Sequence, residues 1–148
     1  MLTSTPLSFS NHYHQSLESL VEQALISLEC PAEQLTNFHA HSGIHLEFNR
    51  IPNITISIEN DRLWLWSAFS ELTPKLITQQ AAELLSILQQ PIPNIELDQA
   101  ILVKANQGYE LKALVDPSCL YVASNLGMII EYFYQKVDGI EKLFSHEL

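Results

Sequence analysis

The chain has 148 residues, with 7 Lys and Arg against 17 Asp and Glu, for a formal net charge of -10. That length fits one domain able to bury a core without disulfide or metal staples, and the charge excludes the clustered basic surface that nucleic acid or an anionic membrane requires. Hydrophobic residues at 47% and charged residues at 16%, against a usual charged share of about 25%, exclude a disordered chain and leave apolar surface for a partner.

Residues 1–12 begin as a Ser/Thr/Asn-rich stretch and are expected to form a flexible tail ahead of one domain over 13–148. Leu17, Leu20, Val21, Ala24, Leu25 and Leu28 then recur at the spacing of one helix face. Ser10 or Asn11 can cap that helix, and Pro31 follows its end. The period then changes to two. Ile44, Leu46 and Phe48 alternate with His45 and Glu47, and Ile54, Ile56 and Ile58 alternate with Thr55, Ser57 and Glu59. Asn60-Asp61 supplies turn chemistry, and a third strand over 63–69 completes an antiparallel meander. Thr73-Pro74 is a helix start, a capping hydroxyl followed by Pro at the first helical position. That helix is expected to run to about Gln89, with Ile77, Ala81, Leu84, Leu85 and Leu88 on one face, until Pro91 and Pro93 stop it. Two strands over 100–105 and 109–115 follow, joined through Asn106-Gln107-Gly108. Asp116-Pro117 repeats the cap-and-Pro device before a last helix carrying Ala123, Leu126, Ile130, Phe133, Tyr134 and Val137 on one face. The order α-β-β-β-α-β-β-α, with helices segregated from an antiparallel sheet, defines an α+β fold.

Little in this sequence looks like an active site. Cys30 and Cys119 are far apart with no C-x-x-C spacing and are expected to be reduced, packed thiols, as in a cytoplasmic protein. His39, His41 and His45 lack the Cys or carboxylate partners of a zinc site. No serine sits in G-x-S-x-G, and the four glycines form no phosphate cradle. The start of the chain lacks a signal-peptide pattern. The apolar run over 119–134 is interrupted by Ser124, Asn125 and Glu131, short of the roughly 18–20 apolar residues a spanning helix needs. Neither an enzyme nor a membrane-inserted protein is expected. The third strand is more telling, because Trp64 and Trp66 share the face opposite Leu63, Leu65 and Phe69. A wet sheet face should be polar, and Trp is enriched at binding hot spots.

The segments His41-Ser-Gly-Ile-His-Leu-Glu-Phe48, Ile51-Pro-Asn-Ile-Thr-Ile-Ser-Ile58, Leu63-Trp-Leu-Trp66 and Leu111-Lys-Ala-Leu-Val-Asp-Pro117 resemble the invasion-protein-B/SpaK type of type III secretion chaperone. The resemblance runs from about Leu17 onward. It implies a small acidic homodimer of the bacterial cytoplasm, involved in virulence. Such a chaperone binds the N-terminal region of one or more secreted effectors, keeps them secretion-competent and hands them to the export apparatus, without nucleotide or other cofactor. By position in the matching segments, Phe48, Ile54, Trp64 and Trp66 are the expected client contacts. Ile77, Leu84, Leu88 and Ile101 are the expected dimer contacts, since the second helix and the following strand form the seam in similar chaperones. A rival reading is a monomeric α+β domain enclosing a small apolar or lipid-like ligand beside the Trp pair.

Overall fold

The computed structural model describes residues 43–145 together with 19, 21–23 and 25–27. Helix α1 is helical at those early positions and buries Val21 and Leu25, as its spacing predicts. The expected tail, Leu17, Leu20, Ala24, Leu28, Cys30, His39 and His41 lie outside the described residues. Strands β1 (Ile44–Leu46), β2 (Ile54–Glu59) and β3 (Arg62–Phe69) follow, then helices α2 (Pro74–Gln79) and α3 (Ala81–Gln89). Strands β4 (Ile101–Lys104) and β5 (Tyr109–Leu114) precede the long helix α4 (Ala123–Ser145). No helix of the described residues is long and apolar enough to cross a membrane.

The five strands form one antiparallel sheet in the order β1-β2-β3-β5-β4. The β2–β3 hairpin turns on Asn60 and Asp61, both at positive φ, the conformation that a two-residue hairpin matched to strand twist demands. Pairing Ile54 with Ser67, Ile56 with Leu65 and Ile58 with Leu63 puts one side chain of each pair beside the other on a single face. Leu111 and Ala113 of β5 continue that face, and the helices cover it. Leu126, Ile129, Phe133, Val137 and Ile140 of α4 lie in the core with these strand residues. Fully burying a side chain such as Phe133 contributes roughly 1.5–3 kcal/mol. Even the buried polar Ser67 is satisfied, donating to the Asn53 carbonyl at 3.0 Å.

Where two helices meet, a lysine closes the end of one. Lys136 of α4 is 6% exposed, and its Nζ donates to the Ile87 and Gln90 carbonyls, each at 2.6 Å. These carbonyls belong to the negative end of the α3 dipole, where a cation is favoured. Gly139, one turn further along α4, is the other near approach, since a Cβ there would meet Ile87 at 3.8 Å.

Two local expectations change. The single helix expected over 74–89 is two, α2 and α3, meeting at Gln80 (φ -117°, ψ 23°). The Thr78 hydroxyl bonds back to the Pro74 carbonyl, and the Gln80 N–H is shared between the Leu76 and Ile77 carbonyls, which tightens the last turn of α2. Asp116-Pro117 caps a 3-10 turn, Pro117–Cys119, rather than the last helix itself, which begins at Ala123. Between α3 and β4 the chain makes a 3-10 turn, Glu96–Asp98, in which Leu97 and Asp98 follow Asn94 into positive φ. For leucine that conformation costs roughly 1–2 kcal/mol. At the β4–β5 connection Gly108 has φ +72°, and a Cβ there would stand 2.1 Å from the Phe69 carbonyl oxygen, so only glycine fits.

Burial lowers the pKa of Lys136 from its ordinary value by stripping the ammonium of water. Between the lowered value and the ordinary one, the unfolded chain binds the extra proton, so stability rises with pH across that interval. In Lys136→Met this contribution vanishes. The urea midpoint of the parent should therefore rise relative to that of the variant as pH goes from neutral to about 10; a constant offset, or a relative fall, would contradict the assignment.

Candidate functional site

The second face of the sheet is built by the residues that alternate with the core. Its central row runs His45, Thr55, Trp66, Lys112 and Ile101 across β1, β2, β3, β5 and β4. A second row holds Ser57, Trp64 and Leu114, and a third Ala68, Glu110 and Val103. The buried apolar side chains of the described helices all join the core on the opposite side. Trp64 and Trp66 are therefore half-buried, resting on their own sheet, while Ile101 is 51% exposed.

The two indoles shade the small polar residues paired with them, and Thr55 and Ser57 are buried although they face outward. Thr55 Oγ1 is hydrogen-bonded to His45 Nδ1 at 2.9 Å. Ser57 Oγ is buried with no hydrogen-bond partner among the described residues, a state that costs about 1–3 kcal/mol. Lys112 forms an ion pair with Glu110 at 3.6 Å and places its Nζ 6.0 Å from the Trp64 ring centroid, at the outer range of a cation–π contact. This face is aromatic at its middle, with the Lys112–Glu110 ion pair beside the Trp pair.

Phe48 stands on the other side. It follows β1 and packs against Tyr134 of α4, with ring centroids 4.9 Å apart. Beside the pair lies an open cavity of about 340 Å3 lined by Glu47, Phe48, Asn49, Arg50 and Tyr134. Phe48 and the Trp pair are thus not one site; the β1 edge separates them. Ile54 is 0% exposed and faces the core beside Leu46. Of the expected dimer residues, Leu84 is buried in the core of its own chain, Ile77 and Leu88 are half-buried and Ile101 is exposed.

Leu85, expected on one helix face with Leu84 and Leu88, is 55% exposed, and Leu97, which the sequence reading passes over, is 90% exposed. Tyr121, in the turn before α4, and Met128 and Tyr132, one turn apart on that helix, are exposed too; the Met128–Tyr132 spacing was available in the sequence but is masked by the stronger buried stripe. No signal of periodicity could mark Leu97, which belongs to an irregular turn.

Among the described residues the titratable groups do not form a cluster. Burial pushes the Cys119 thiol up, with the Asp116 carboxylate adding to the effect, so its thiolate is suppressed. The Asp116 carboxyl is held down by the Ser118 N–H and hydroxyl, the bonds of an ordinary turn cap. Among the described residues no cluster of His, Cys, Asp and Glu could hold a metal ion.

The chain matches the model of the invasion protein B family over residues 29–106, and it belongs to that family. It is 27% identical over 135 residues to the surface presentation of antigens protein SpaK of Salmonella typhimurium, covering 91% of this chain and 97% of that protein. The protein of the same description from Salmonella typhi is similar to the same extent.

The matched stretch contains β1 to β4 and with them the Trp pair and Ser57. Ser57→Ala removes a buried hydroxyl that bonds to nothing described, so the variant should be as stable as the parent or up to about 1 kcal/mol more stable by urea denaturation. A loss of about 1 kcal/mol or more would mean the hydroxyl has a partner.

Proposed function

We propose that this chain is a non-catalytic chaperone of type III secretion in the bacterial cytoplasm. It works as a homodimer, binds the N-terminal region of one or more secreted effectors, keeps them soluble and export-competent, and delivers them to the secretion apparatus. It needs no cofactor. The observation that carries the reading is the pair Trp64 and Trp66, half-exposed on the sheet face that the described helices leave uncovered, in a chain of the invasion protein B family.

The physical mechanism is strand addition with pocket filling. An extended client segment laid along β1 offers its backbone to an open sheet edge and sends alternate side chains to the two faces. On the open face the row His45, Thr55, Trp66 leads inward from that edge. On the helix side the Phe48–Tyr134 pair and its cavity receive the other side chains. Apolar client surface buried there contributes about 25 cal/mol per Å2 before the cost of ordering the segment is subtracted. Client contact falls to Phe48, Trp64 and Trp66, and the dimer seam to Ile77, Leu88 and Ile101.

The test is capture of an effector's N-terminal segment, co-expressed and co-purified. Phe48→Ala and Trp66→Ala should each weaken capture about tenfold or more, the range of a hot-spot truncation, with thermal midpoints within a few degrees of the parent. Parent-like capture by both variants overturns the proposed surface.

A further inference from the structure

Ser57 turns a hydroxyl toward the open face of the sheet and, among the described residues, finds nothing there to bond. The residue is 9% exposed and its Oγ is buried without a hydrogen-bond partner. Thr55, two residues earlier on the same strand face, is as sheltered but satisfied, its Oγ1 bonded to His45 Nδ1 at 2.9 Å. Native structures pair nearly all of their buried polar groups, because an unpaired one costs its full desolvation. A hydroxyl left open under a binding face is therefore placed to be answered by what binds there.

The strand register gives its surroundings. Trp64 stands opposite Ser57 on β3, with Leu114 beyond it on β5. On the other flank, continuing the β1–β2 register by one residue brings Gly43 opposite Ser57. No side chain fills that position, and a Cβ there would meet only an ordinary contact, Thr55 Cγ2 at 3.5 Å. The cover over the hydroxyl on the β3 side is thus the Trp64 indole. That indole is half-buried, and no hydrogen bond among the described residues holds it; the Lys112 Nζ stands 6.0 Å from its centroid. Side chains at a surface change rotamer readily, so the indole is a cover that can be moved.

We propose that Ser57 sets the specificity of the open face: a carboxamide side chain of the client, Asn or Gln, displaces the Trp64 indole from above Ser57, lies against it and hydrogen-bonds the Ser57 hydroxyl. The inference rests on the client-binding reading above and names a residue type the bound segment carries. The chemistry of the position selects it. An aliphatic side chain would leave the hydroxyl unpaired. A charged one would give up its water for a single hydroxyl. A carboxylate would in addition face Glu59, two residues along β2 on the same face, in a chain of net charge -10. For a cation, Glu59 is a poor partner, being exposed to water and opposite Arg62, which is itself paired with Glu96. A carboxamide offers both a donor and an acceptor, so it answers the hydroxyl in either sense, and its plane packs flat on an indole.

The experiment is calorimetric titration of the full chain with an effector's N-terminal segment. Ser57→Ala should bind about tenfold more weakly, with a urea midpoint no lower than the parent's. Replacing the Asn and Gln residues of the segment by Leu, one at a time, should identify one whose loss weakens binding to the parent about tenfold and weakens binding to Ser57→Ala no further, the mark of a direct pair. Parent-like binding by Ser57→Ala, while Trp66→Ala binds weakly, overturns this inference and leaves the client reading standing. Weak binding by Ser57→Ala with no Asn or Gln coupled to it overturns the inference too. Parent-like binding by Ser57→Ala, Phe48→Ala and Trp66→Ala alike overturns both.

Discussion

A single layer of helices can cover only one face of a sheet, and this constraint organises the rest of the molecule. Helix α4 runs for 23 residues and commits its buried stripe to the face defined by Ile54, Ile56, Leu63, Leu65 and Leu111. What remains on the second face must then be compatible with water or with a partner. Here it carries Trp64, Trp66, Leu114, Val103 and Ile101, with Thr55 and Ser57 sheltered beneath the indoles. Among the described residues, the helices pack on one face of the sheet and leave the other open.

The sheet has two edges far apart in strand order, β1 and β4. The β1 edge stands between the Phe48–Tyr134 pair on the helix side and the row through Trp66 on the open side. The β4 edge adjoins the strained turn that carries Leu97. Edges and uncovered faces are the parts of a sheet whose hydrogen bonds and apolar surface another chain can complete. Among the described residues the sheet offers both features.

Much of this was legible in the sequence, because period and punctuation are local. The period-two alternation of 44–48, 54–59 and 63–69 gave the meander, Asn60-Asp61 gave its turn, and the split of β3 into an aliphatic and a tryptophan face was readable from parity alone. Which face the helices would take was not. Ile54 and Trp66 are both apolar residues on strands, and only the register, Ile54 beside Ser67, decides that one is core and the other surface. Likewise α3 has apolar residues round more than one stripe, so that buried Leu84 and exposed Leu85 are neighbours in sequence with opposite fates. Leu97 lies in a turn at positive φ closed by the Ile92 N–H on the Asp98 carbonyl and tied to the distant Asp116 through its N–H on the Asn94 carbonyl; no periodic pattern marks it.

The chain has two tryptophans, and both stand on the open face. Their intrinsic fluorescence therefore reports on that face and on nothing else. Titrating the protein with a tryptophan-free N-terminal segment of a secreted effector, with binding followed in parallel by calorimetry, should shift the emission to the blue as the indoles leave water. Calorimetric binding with an unchanged emission spectrum would contradict the claim that this face holds the client.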